Sequence, residues 1–164
     1  MRGPTRGIGV ALIALMSAML TACAGSSSGS RATLYDGLDA MAADSSIIVI
    51  GTVTGQRADA STTVSTVEVT NAPSNPQLGA NLEGDLATVG VGDVIDVRQD
   101  TGPVLTQGDE YLLFLTPSML PGDAAEDYFI TGAVAGLYER DGDEFRRVVP
   151  DSGDTLPETF TIAE

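Results

Sequence analysis

The chain is 164 residues long, with 43% hydrophobic and 19% charged residues, a balance that allows one packed domain plus a targeting segment and excludes wholesale disorder. It carries 23 acidic residues against 8 basic ones, all arginine, with no His, Lys or Trp, for a formal net charge of −15. Every acid lies at or after Asp36, so the folded part presents a negative field that repels nucleic acid and anionic lipid headgroups.

The first seven residues carry Arg2 and Arg6 and no acid, and residues 8–20 are almost wholly apolar. That run is shorter than the roughly 20 residues a transmembrane helix needs and fits the apolar region of a signal peptide. It ends in Leu20-Thr21-Ala22-Cys23. This sequence resembles the lipobox of bacterial lipoproteins, a Leu, a small residue, Ala or Gly, then Cys. The resemblance implies recognition of Leu20, Thr21 and Ala22 by a signal peptidase, cleavage after residue 22 and a diacylglycerol thioether on Cys23. Losing Arg2 and Arg6 takes the formal charge from −15 to −17. Cys23 is the only cysteine, so no disulfide forms within the monomer. Two or three acyl chains anchor stably where one is marginal. Residues 23–32 are then the lipidated Cys and a flexible tether, whose residues 24–31 reach roughly 15 Å. The expected location is the extracytoplasmic face of a cell membrane.

Residues 33–149 read as the folded domain. Thr33 with Asp36 suggests a helix start, and Leu34, Leu38 and Met41 fall on one helical face, so a short helix is expected over residues 33–43. Asp44-Ser45-Ser46 breaks it. After that the chain reads as β. Residues 47–54 open with a solid apolar run. Residues 62–70 are β-branched, with Thr63, Ser65, Val67 and Val69 on one face and Thr62, Val64, Thr66, Glu68 and Thr70 on the other. Residues 71–92 are rich in Pro, Gly and Asn and read as a long loop. Residues 94–98 form a half-buried strand. Residues 111–115 are apolar on both faces and suggest a central strand covered on each side. Residues 128–131 follow as a short strand. Residues 137–149 read as a hairpin turning at Asp141-Gly142, a pair that suits a type I′ turn. Residues 150–164 form a C-terminal tail or terminal strand. Short strands with turn signals and one helix predict a mainly β fold, a small barrel or sandwich.

Three stretches carry a further resemblance: Asp44-Ser-Ser-Ile-Ile-Val-Ile-Gly-Thr-Val, residues 64–69, and Gly108-Asp-Glu-Tyr-Leu-Leu-Phe-Leu. In that order after a helix, they resemble secreted bacterial domains of the OB or netrin-like barrel type, over about residues 34–140. The resemblance implies a small OB/netrin-like barrel. The cysteines that staple many netrin-like modules are absent. The zinc-chelating N-terminal Cys of the tissue inhibitors of metalloproteinases has no free counterpart if Cys23 is acylated.

With no His or Lys, and a Cys committed to lipid, the commonest general bases and nucleophiles are missing. Ser-His-Asp and Cys-His sites are impossible, and there is no G-x-S-x-G, Gly-rich phosphate loop or Ser-x-x-Lys. Catalysis and a cofactor are not expected. Two acidic clusters offer hard oxygens of the kind calcium prefers, residues 123–127 and the weak candidates Asp141, Asp143 and Glu144. The latter lack EF-hand spacing and suit a solvated turn. Arg146 and Arg147 read as surface partners for nearby acids. The expected function is a non-enzymatic, lipid-anchored binding module with a protein or envelope partner. A netrin-like inhibitor or sequestering protein is the alternative, and a small carboxylate-based hydrolase stands third. Residues 71–92 are the longest candidate contact loop.

Overall fold

The structure is a computed structural model and describes residues 33–73 and 89–162. Its elements in chain order are a helix, α1 (Leu38–Ala43), and eight strands. The strands are β1 (Ile47–Asp59), β2 (Thr62–Asn71), β3 (Val94–Gln99), β4 (Glu110–Pro117), β5 (Tyr128–Ile130), β6 (Leu137–Asp141), β7 (Glu144–Arg147) and β8 (Thr159–Phe160). A 3-10 turn, Gly122–Glu126, precedes β5.

Five of these strands close into a barrel. The circuit runs β1-β2-β3-β5-β4 and back to β1, because β1 pairs with both β2 and β4. Every pair in the circuit is antiparallel except β3 with β5. The protein is therefore mainly β, a small barrel of the OB-like kind with one short N-terminal helix. Closure leaves the barrel strands few free edges.

One strand serves two partners because it bends. The first half of β1 lies against β4 and the second half against β2, with a register shift at Ile50 and Gly51. A Cβ at Gly51 would sit 2.5 Å from Val67 Cγ1 and 2.7 Å from the Glu68 carbonyl oxygen, so only glycine lets the two strands approach this closely.

Strand alternation then sorts the apolar residues into two cores. Ile47, Val49, Val53, Val67, Val69, Ile95, Val97, Tyr111, Leu113 and Leu115 fill the barrel. The alternate residues Ile48, Ile50, Leu112 and Phe114 face outward, where they meet Met41 and Ala42 of α1 together with Tyr35, Tyr138, Phe145 and Leu156. The apolar run 111–115 is thus buried on both sides. Residues 100–109 close one end of the barrel. Leu105 is its plug, with its backbone N–H donating to Gln99 Oε1 at 3.0 Å and its carbonyl accepting from Gln56.

Strands β5 and β6 lie on the same side of β4, against Leu115 to Pro117 and Tyr111 to Leu113 respectively. Between them the chain loops out opposite the single residue Phe114, whose N–H donates to Gly136 O and whose carbonyl accepts from Thr131 N. Gly132 and Ala133 turn the loop with φ of 65° and 63°. After it β6 leaves the barrel and joins β7 and β8 to cover the second core.

Three expectations need correction. The helix is shorter than residues 33–43: Gly37 is its N-cap and Thr33 lies outside it. Glycine is costly inside a helix, by about 1 kcal/mol, and the preceding residues are claimed elsewhere. Tyr35 N–H donates to Asp154 Oδ1 at 2.9 Å and Tyr35 O accepts from Thr155 N at 2.8 Å. Tyr35 is buried and Leu34 is 58% exposed, the reverse of the helical reading.

The hairpin turn is centred on Gly142-Asp143, since Asp141 pairs with Glu144. With φ of 65° at Gly142 alone, the turn takes the type II′ pattern, which wants Gly first.

Arg147, unlike Arg146, is no surface residue. It is 3% exposed, and its guanidinium donates to the carbonyls of Val149, Pro150 and Leu156 and to Ser152 Oγ. It organises the segment after β7, which returns as β8.

Candidate functional site

Strand β4 ends at Pro117, where a residue without an N–H meets Tyr128 of β5. The connection between them, residues 118–127, is short and heavily tied. Ser118 is buried at its base; its N–H donates to Asp127 O at 2.9 Å, its hydroxyl donates to Ala124 O, and that same hydroxyl accepts from Leu120 N at 3.2 Å. Pro121 and Gly122, the latter at φ 71°, start the 3-10 turn, and Asp127 N–H closes it on Ala124 O.

At the tip stands Met119. It is 89% exposed and holds φ of 57°, with exposed Leu120 beside it. A non-glycine residue in the left-handed region costs roughly 1–2 kcal/mol, so the surrounding bonds must fix it there. Asp123 and Glu126 are exposed on the same loop, giving an apolar tip with an acidic flank.

The loop's other end rests on an ionic lattice across the outer barrel wall. Asp127 is buried, and its Oδ2 accepts from Arg98 Nη1 at 2.6 Å, with Arg57 Nη2 at 3.9 Å. Arg98 also pairs with Asp59 of the β1 end, and Arg57 with Asp96 of β3 at 2.9 Å. Thr66 of β2 donates to the second Asp96 oxygen at 2.8 Å. The hydrogen bonds to Asp127 and then Asp59 raise the Arg98 pKa above its ordinary value, against the opposing pull of burial. Two arginines and three aspartates thus join β1, β3 and the start of β5 and fix the base of the loop.

Two other surfaces were candidates. A shallow cleft of about 260 Å³ is lined by Ile50, Asn71, Arg140, Asp143 and Phe145. Its arginine is committed, paired with Glu110 and stacked 4.6 Å from the centre of the Phe145 ring. The hairpin acids Asp141, Asp143 and Glu144 are all exposed. Asp141 Oδ2 accepts from both Nε and Nη2 of Arg146, at 2.9 and 2.8 Å. Among the described residues no three His, Cys, Asp or Glu side chains gather as a metal site.

Leu20, Thr21, Ala22 and Cys23 lie outside the described residues, as do residues 74–88 of the long loop. No helix among the described residues is long and apolar enough to cross a membrane. In the sequence only residues 123–127 of this loop stand out, as acids; its apolar tip is missed, although Pro117-Ser118-Met119-Leu120-Pro121-Gly122 brackets an apolar pair between turn residues. Compared with known proteins, the chain matches no family model, and no curated sequence is significantly similar to it.

Proposed function

We propose that this protein is a lipid-anchored domain on the extracytoplasmic face of a cell membrane, that it acts by contact without turnover, and that the loop between β4 and β5 is its contact. The observation that carries the reading is Met119: a bulky apolar side chain, held in an unfavourable backbone conformation at the tip of a loop tied at both ends. Strain retained on an exposed, hydrogen-bonded loop points to a role for the shape it enforces. A rigid tip loses little entropy on binding.

The sequence supports the remaining parts. Leu20-Thr21-Ala22-Cys23 supports the anchor, and a short tether would confine the domain to a thin layer and raise its effective concentration for neighbours there. The absence of His and Lys supports contact over catalysis, because the commonest general bases are missing. The charge supports a partner with an apolar pocket and a basic rim, reached faster at low salt.

The test is photo-crosslinking on intact cells, with the crosslinker at position 120, beside Met119, and, as control, at Glu139 on the far hairpin. A discrete adduct from position 120, absent from the control and lost when Met119→Asp is added, is the expected result. Equal capture at both positions, or capture unaffected by Met119→Asp, overturns the assignment of the loop.

A further inference from the structure

The described residues hold two methionines at opposite extremes. Met41 on α1 is 0% exposed and packs in the second core, whereas Met119 is 89% exposed. The only cysteine is Cys23, so the described domain offers no thiol to compete for oxidant. Oxidation of a thioether needs an oxidant to reach the sulfur lone pair, and burial removes that access.

We propose that Met119 is an oxidative modification site, converted to the sulfoxide by hydrogen peroxide or a related two-electron oxidant while Met41 stays reduced. The step is an oxygen transfer. The Met119 sulfur attacks one peroxide oxygen, the O–O bond breaks, an S–O bond forms, and the second oxygen leaves as water after taking the proton. Sulfur loses two electrons and the peroxide gains them.

The loop determines the consequence. Residue 119 is held by its neighbours' hydrogen bonds, through Ser118 and the Ala124 and Asp127 carbonyls, and not by its own side chain. Met119 belongs to neither core, so the sulfoxide removes no packing. It changes the most exposed apolar side chain of the loop into a polar one. The modification therefore alters surface chemistry and leaves stability alone, and this inference stands whether or not the loop is the contact proposed above.

The experiment is a peroxide time course on the purified full-length protein, native and in concentrated urea, read by peptide mass spectrometry together with thermal melting. The expected result is sulfoxide at Met119 forming at least roughly tenfold faster than at Met41 in the native protein, the rates converging in urea, and no change in melting temperature when Met119 alone is oxidised. In Met119→Leu, the remaining described methionine should resist oxidation until the protein unfolds. Comparable native rates at the two methionines, or a melting temperature lowered by oxidation of Met119 alone, overturns the proposal.

Discussion

Arg98 and Asp127 meet at 2.6 Å on the outer wall of the barrel, both nearly sealed from solvent, and the loop that carries Met119 closes on the second of them. A charge pair so placed does more for position than for net stability, because desolvation offsets much of the attraction. Breaking it from one side is another matter, since the surviving charge stays buried.

Asp127→Asn should therefore destabilise the domain by about 3 kcal/mol, the lower end for a broken buried pair, because Arg98 keeps its half-exposed partner Asp59. Asp59→Asn should cost far less, about 0–1 kcal/mol, as expected for a solvent-exposed partner. Urea unfolding of the two variants checks the order. Amide exchange in residues 118–127 should also quicken in Asp127→Asn, and equal effects of the two substitutions would contradict the assigned roles.

Arg147 makes a second prediction. Its fork satisfies carbonyls on Val149, Pro150 and Leu156 at once, with Asp154 Oδ2 at 3.9 Å, and Asp154 in turn holds the backbone of Tyr35. Arg147→Ala should cost about 3 kcal/mol and open residues 148–158 to proteolysis while the barrel still folds. Arg147→Lys should not rescue it, because a single ammonium cannot reproduce the planar fork. Limited proteolysis with mapping of the first cleavage site is the check.

Much of the barrel was legible in the sequence, and the reason is periodicity. Residues 47–50 and 111–115 are apolar on both faces, which requires cover on both sides, and the two strands do lie side by side between two cores. Long-range capture was not legible. The helical pattern of Leu34 and Leu38 is real, yet Asp154, more than a hundred residues away, takes the Tyr35 backbone and straightens the chain. Nothing local to Arg147 says that its neighbours will supply bare carbonyls. The tip at Met119 depends on Ser118 reaching Ala124 and on Arg98 reaching Asp127. Spacing along the chain does not reveal such contacts.

Gly51 yields the third prediction. Gly51→Ala would press a methyl against Val67 Cγ1 and the Glu68 carbonyl, at 2.5 and 2.7 Å, in the middle of the strand that closes the barrel. Overpacking of this kind costs roughly 1–3 kcal/mol. Gly142→Asn should be milder, since that turn is open and Asn tolerates positive φ. Melting temperatures of the two variants should fall in that order.

A fourth prediction concerns alkaline pH. Burial, opposed by the Arg147 charge and assisted by that of Asp154, pushes Tyr138 up to about 12 from its ordinary 10.0. The folded state thus favours the neutral phenol, which donates to Pro157 O at 3.3 Å. That contribution is complete below pH 10 and is lost as pH climbs toward 12, so stability should fall across this window. Tyr138→Phe should flatten the fall. Urea midpoints measured at intervals between neutral pH and 12 decide it, and an unchanged slope in the variant would refute the assignment.

The anchor at Cys23 is tested most directly by the mass of the N-terminal peptide of the protein extracted from its own membranes. The proposed anchor requires a peptide beginning at Cys23 and carrying a diacylglycerol thioether, with Cys23→Ala releasing the domain from the membrane. An unmodified Cys23, or a Cys23→Ala protein that stays fully membrane-bound, would contradict it.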